Sequence, residues 1–166
     1  MIACRILVLE DDNDDVLLLK RALQAVAKRR NLPLAIQHSC NGFEGLSYIG
    51  RSDMLSALPD VVLVDLNMPT MDGMAFLQSL RGPFGMKDVY AAVLTTSAEP
   101  IIHDAALRAG ADRVFAKPDT FLELLNIAEQ VVAAAVAADS AHLPRPHPPG
   151  GGVNYRAPPC LSRPRS

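Results

Sequence analysis

Tryptophan is absent from the 166-residue sequence, and five phenylalanines and three tyrosines are its only aromatic residues. Any core must therefore be built mainly from aliphatic side chains. Cysteine is scarce as well. Cys4, Cys40 and Cys160 are odd in number and lack the paired spacing of a zinc site, so they read as reduced thiols, the first two as core filler. No apolar run approaches the roughly 18 to 20 residues of a membrane span; the alanine-rich stretch 131–138 comes nearest and is far too short. No basic-then-apolar leader opens the chain. The expectation is a soluble, cytoplasmic protein.

Acidic residues are missing from one end. All 18 lie at or before Asp139, whereas 12 of the 16 basic residues do, leaving −6 on residues 1–139 and +4 on the remainder. Residues 140–166 also hold seven of the 13 prolines and three of the ten glycines. They are expected to form a disordered or polyproline-like tail behind a single domain, 1–139. Positive charge on that domain is scattered apart from Lys28-Arg29-Arg30, which suits the negative end of a helix. No nucleic-acid surface is expected.

What is present is a regular alternation. Short β-favouring runs fall near 4–9, 34–40, 61–64, 89–95 and 112–116. Between and after them lie helical patterns near 14–29, 43–51, 73–81, 100–109 and 120–138. Asn13 is the expected cap of the first helix, with Val16, Leu19, Leu23 and Val26 buried and Leu17 and Leu18 widening the covered arc. Asp72-Gly73 opens the third, and Pro100 and Gly110 bracket the fourth. Five strands alternating with five helices over short connections imply an open parallel sheet covered on both faces, with right-handed crossovers.

In such a sheet, functional residues gather at the carboxyl ends of the strands. Here those ends are polar in a way a core would not select. The run Val61-Val62-Leu63-Val64 delivers Asp65, after which Met68-Pro69 stops the strand; the other ends carry Glu10-Asp11-Asp12, Thr95-Thr96-Ser97 and Lys117-Pro118. Carboxylates brought together repel unless neutralised. A hard divalent cation, Mg²⁺ best of all, is the natural partner, and Lys117 adds a further positive charge. A carboxylate there can act as a nucleophile toward phosphorus, with Thr95 and Lys117 placed for the equatorial oxygens. Alternatively the acids merely cap the first helix and one of them pairs with Lys117; that reading accounts for each strand end singly but not for all four together.

The segments Leu9-Glu10-Asp11-Asp12, Asp65-Leu66-Asn67-Met68-Pro69 with Met71-Asp72-Gly73, Leu94-Thr95 and Lys117-Pro118 resemble the motif set of receiver domains of two-component response regulators, over about residues 3–138. More loosely, the chain is similar to single-domain regulators associated with bacterial phytochromes. The resemblance implies a flavodoxin-like (βα)5 fold with strand order 2-1-3-4-5. It also implies a signalling switch rather than an enzyme, in which Asp65 accepts a phosphoryl group from a sensor histidine kinase or a histidine phosphotransfer protein. Mg²⁺ would be held by Asp11, Asp65 and the backbone carbonyl of Asn67, with Glu10 acting through a bound water. Thr95 and Lys117 would bind the phosphoryl oxygens, and the Lys117–Pro118 peptide would be cis. Self-association would use the fourth helix, fifth strand and fifth helix, where Ile101 and Ile102 offer apolar contacts.

Two positions depart from the family pattern. Val114 stands where an aromatic is usual three residues before the lysine, and Phe115 falls on the opposite face of the strand. Signalling is then expected to run through the loop after Thr95 and the helix beginning near Pro100. Thr96 stands where a small residue is common, and its branched side chain should narrow the approach of water to the acyl phosphate. The rival reading, a Mg²⁺-dependent aspartate-nucleophile phosphohydrolase, needs a second acid two residues after the nucleophile, and that position is the amide Asn67. A flavin-binding protein of the same fold is disfavoured by three acids after the first strand.

Overall fold

The computed structural model describes residues 3–141. Five strands, β1 (Cys4–Leu9), β2 (Leu34–Ser39), β3 (Val61–Asp65), β4 (Tyr90–Thr95) and β5 (Arg113–Ala116), form one parallel sheet in the order β2-β1-β3-β4-β5. Five helices alternate with them: α1 (Asn13–Arg29), α2 (Gly42–Met54), α3 (Gly73–Arg81), α4 (Pro100–Ala109) and α5 (Phe121–Ala141). This is the expected flavodoxin-like arrangement. The expected tail, with Cys160, lies outside the described residues.

The sheet has two apolar faces. Ile6, Val8, Val61, Leu63, Ala92 and Leu94 pack with α1 and α5 on one side; Leu7, Leu9, Val62, Val64, Ala91 and Val93 pack with α2, α3 and α4 on the other. Alternation along each strand produces this sorting. β3 lies at the centre with every residue buried, and each of its four aliphatic side chains contributes about 1.5–3 kcal/mol by leaving water. β2 and β5 form the edges and are only partly covered, in keeping with the imperfect alternation of 34–40.

Helix boundaries follow their caps. Asp12, not Asn13, caps α1, its carboxylate accepting from the amides of Asp14 and Asp15. Both are good capping residues, and the β1–α1 turn leaves Asp12 in the extended conformation a cap requires. Asn41 and Asp72 cap α2 and α3 in the same way. α2 runs to Met54, beyond the expected 51, because Arg51, Ser52 and Asp53 continue the helix as far as Leu55. Lys28 and Arg29 occupy the last turn of α1 as expected, and Arg29 and Arg30 additionally pair with Glu129 of α5 at 2.6 and 2.8 Å.

Three further expectations need correction. Leu17 and Leu18 are 51% and 43% exposed, because α1 is covered only where it meets the sheet and α5. In α5 the window Phe121–Ala138 is long and apolar enough to cross a membrane, so the sequence does contain such a stretch. The helix nevertheless packs Leu124, Ile127, Ala128, Val131, Val132 and Ala135 against the sheet, as a core helix does. Cys4 is buried as expected; Cys40 is disulfide-bonded rather than reduced.

Candidate functional site

Strand register brings the polar strand ends together. Leu9 pairs with Val64 and Asp65 with Leu94, so Glu10, the residue after Leu9, stands beside Asp65. Thr95 pairs with Ala116, and Lys117 N–H donates to the Thr95 carbonyl at 2.7 Å. By alternation Glu10, Asp65 and Lys117 share the parity of the α1/α5 face, whereas Thr95 shares that of the α2/α3/α4 face.

Lys117 is the centre of the charge network. Its Nζ lies 2.7 Å from Glu10 Oε2, 2.9 Å from Asp15 Oδ2 and 3.5 Å from Asp65 Oδ2. Glu10 and Asp65 are buried and Asp15 half-exposed. Burial pushes the Glu10 carboxyl up to about 7, the ammonium of Lys117 opposing this and the charge of Asp65 reinforcing it. Lys117 is itself raised: burial alone would lower it, but hydrogen bonds to Glu10 and Asp15 and the nearby carboxylates outweigh that cost.

Glu10, Asp11 and Asp65 each offer a ligand atom within 4.8 Å of the others. An all-oxygen carboxylate set of this kind suits a hard divalent cation. Glu10 Oε1 also accepts from Asp12 N–H at 3.1 Å, and Asp65 Oδ1 from Asn67 N–H at 3.2 Å, which fixes the orientation of both acids. His38 on β2 donates from Nε2 to the Glu10 carbonyl at 2.8 Å; burial lowers the pKa of its imidazole.

The β3–α3 turn supports Asp65 from below. Gly73 N–H donates to the Leu66 carbonyl at 3.1 Å, and a Cβ at Gly73 would collide with the Asp65 carbonyl oxygen and lie 2.9 Å from Leu66 Cα. Only glycine allows this approach. Pro69 lies in the same turn, followed by Thr70 at φ 69°. Pro118 follows Lys117 through a trans peptide, no cis bond occurring among the described residues; trans is the intrinsic preference even of a prolyl amide. Pro118 lines a cavity of about 130 Å³ beside Lys117, walled also by Asp15, Leu18, Phe121 and Leu124.

Thr95 is fully buried, with Oγ1 accepting from Ser97 N–H at 3.1 Å, while Thr96 and Asn67 are exposed. Val114 packs on the α2/α3/α4 side and Phe115 on the α1/α5 side, under the guanidinium of Arg113. The opposite-face expectation for these two residues therefore holds. The sequence reading missed Asp15, which the run Asp14-Asp15 had hidden among helix-dipole acids; its position one turn beyond Glu10-Asp11 was the available signal.

Residues 6–129 match the response regulator receiver domain. The chain belongs to that family. Among curated relatives, this receiver domain is 36% identical over 132 residues to protein-glutamate methylesterase/protein-glutamine glutaminase 5 of Anaeromyxobacter dehalogenans, covering 75% of this chain and 35% of that one. It is 28% identical to a probable chemotaxis protein CheY of Rhizobium etli, covering 78% of this chain and 93% of that protein. The chain thus spans under half the length of the first curated relatives it matches. A solved structure of the same fold is the phosphorylated cyanobacterial phytochrome response regulator RcpA, with TM-score 0.72, 22% identity, and coverage of 87% of this chain and 100% of that one.

Proposed function

We propose that this receiver domain is a phosphoacceptor switch in which Asp65 takes a phosphoryl group from a phosphohistidine of a sensor kinase or histidine phosphotransfer protein. The observation that carries the reading is Lys117 held at 3.5 Å from Asp65 beside the carboxylates of Glu10 and Asp11. A carboxylate oxygen of Asp65 forms the new P–O bond as the donor's P–N bond breaks, the imidazole leaving with the electron pair. Lys117 then exchanges carboxylate partners for a phosphoryl oxygen, and the Thr95 hydroxyl takes another. Asp11, Asp65 and the Asn67 carbonyl would hold Mg²⁺, with Glu10 reaching it through water. Bound there, the cation supplies charge neutralisation between the acids and the phosphoryl oxygens.

Asn67 supports a signal rather than a hydrolase. It stands two residues beyond the nucleophile, is exposed, and has no proton to give a leaving group. The donor's docking surface is the rim of the cavity beside Lys117, where the lining residues Leu18 and Phe121 are exposed. Self-association through α4, β5 and α5 would use Ile101, which is 67% exposed. Output passes through protein contacts in the cytoplasm; a phytochrome kinase is the proposed input by likeness to RcpA.

Incubation with a small-molecule phosphodonor and Mg²⁺, followed by intact-mass measurement, tests the reading. A phosphate adduct that requires Mg²⁺ and is lost in Asp65→Asn is expected. No adduct in the wild type, or the same adduct in the variant, overturns it.

A further inference from the structure

Val114 fills the position three residues before Lys117 with an aliphatic side chain, yet Thr95 is wired to a helix by another route. Ser97 N–H donates to Thr95 Oγ1 at 3.1 Å, and the Ser97 carbonyl accepts from Nε2 of His103, on α4, at 2.8 Å. A carbonyl can only accept, so Nε2 carries the proton. Ser97 also caps the same turn, its Oγ accepting from Glu99 N–H at 3.2 Å, whereas Glu99 gives α4 no side-chain cap.

α4 is built to respond at this end. Ala106 is its single fully buried residue, and in its first turn only Ile102, partly buried, packs against the core, so limited packing resists movement at this end. Its other end is held: Arg81 of α3 donates to the Gly110 carbonyl at 2.9 Å and to the Val89 carbonyl at 2.7 Å, and it pairs with Asp112 at 2.9 Å. Gly110 itself takes φ 115°. A helix clamped at its C-terminus and tied at its N-terminus through one imidazole has a pivot and a lever.

We propose that His103 is a positioning residue that transmits the state of Thr95 to α4. This rests on the phosphoacceptor reading above and names how that site is read out. When the Thr95 hydroxyl turns to the phosphoryl group, the Ser97 amide loses its acceptor. Ser97 must then shift to give its N–H another partner, the Ser97 carbonyl in the following peptide unit draws His103 with it, and the first turn of α4 tilts about Gly110.

The test is site-resolved amide hydrogen exchange by NMR on the full chain, unphosphorylated and phosphorylated, with intact mass measured on each sample. In the wild type, phosphorylation should speed exchange at Ser97 by about tenfold, the effect of one lost half-buried hydrogen bond, and should also change exchange at Ile102 and His103 in the first turn of α4. In His103→Leu the Ser97 response should persist while the α4 response disappears; His103→Gln, which keeps a side-chain N–H, should restore it. A purely structural role for His103 would alter α4 exchange equally in both phosphorylation states, and that result overturns the proposal. So does an α4 response in His103→Leu equal to that of the wild type, or an unresponsive Ser97 amide in samples whose mass shows the adduct. Absence of any adduct overturns the phosphoacceptor reading itself, and this inference with it.

Discussion

Lys117 Nζ lies 2.7 Å from Glu10 Oε2, and Glu10 is only 5% exposed, yet burial still pushes the Glu10 carboxyl up to about 7. The ion pair does not make the site comfortable for its acids. It reduces a cost that the fold imposes chiefly by burying Glu10 and secondarily by placing it next to Asp65.

A pH dependence follows for the metal-free protein. An acid whose value rises from 4.5 to about 7 on folding binds its proton more tightly in the folded state. Stability is then greatest below the unfolded value and falls by up to about 3 kcal/mol as pH rises through this window. His38, lowered by burial, contributes the opposite slope, its share being lost as pH falls below its ordinary value. Urea unfolding in a chelator from about pH 5 to about pH 8 should therefore show a steeper decline in wild type than in Glu10→Gln, which keeps His38. Mg²⁺ should abolish the difference, and identical slopes in chelator would refute the account.

Thr70 takes φ 69°, a left-handed conformation that a β-branched residue adopts only under strain. Asn31, at φ 52° after α1, shows the residue type that tolerates the region. Thr70 is exposed, so replacement sacrifices no packing. Thr70→Asn should stabilise the protein by about 1 kcal/mol, measured as a rise in the urea midpoint with an unchanged m-value; a lower midpoint contradicts the strain argument.

How much of this was legible beforehand depends on how local the cause is. The five strands, the helix faces of α1 and α5, and the rim of Glu10, Asp11, Asp65, Thr95 and Lys117 follow from patterns a few residues long. Strand order came from resemblance, since register is set by tertiary pairing. Asp15 and the Arg81 clamp were not legible. Each acts across elements distant in sequence, and an acid in a first helical turn or a base in a last one already has a local explanation. The exposed Leu17 and Leu18 failed for the same reason: periodicity shows which residues could be covered, not where a neighbouring helix stops.

Gly73 is the tight point beneath Asp65. Its missing Cβ leaves room for the Asp65 carbonyl, Leu66 Cα and Val64 Cγ1, two of them backbone atoms with nowhere to retreat. Gly73→Ala should destabilise the fold by about 1–3 kcal/mol through overpacking and displace Asp65. Thermal unfolding and the phosphate-adduct assay should fall together. A variant with wild-type stability and full adduct formation would show that the turn relaxes.

Thr96 sets the lifetime of the signal in this account. It is exposed, directly follows the buried Thr95, and carries two heavy atoms on Cβ. Hydrolysis needs a water in line with the Asp65 acyl phosphate, and bulk at this position obstructs its approach. Thr96→Ala should speed loss of phosphate by about fivefold, equivalent to about 1 kcal/mol of barrier. Thr96→Val separates bulk from hydrogen bonding, because it keeps the branched shape and removes the hydroxyl. If shape matters, the valine variant decays as slowly as wild type in an intact-mass time course; if it instead matches alanine, the hydroxyl is what protects the phosphate. Unchanged or slower decay in Thr96→Ala refutes both forms of the argument.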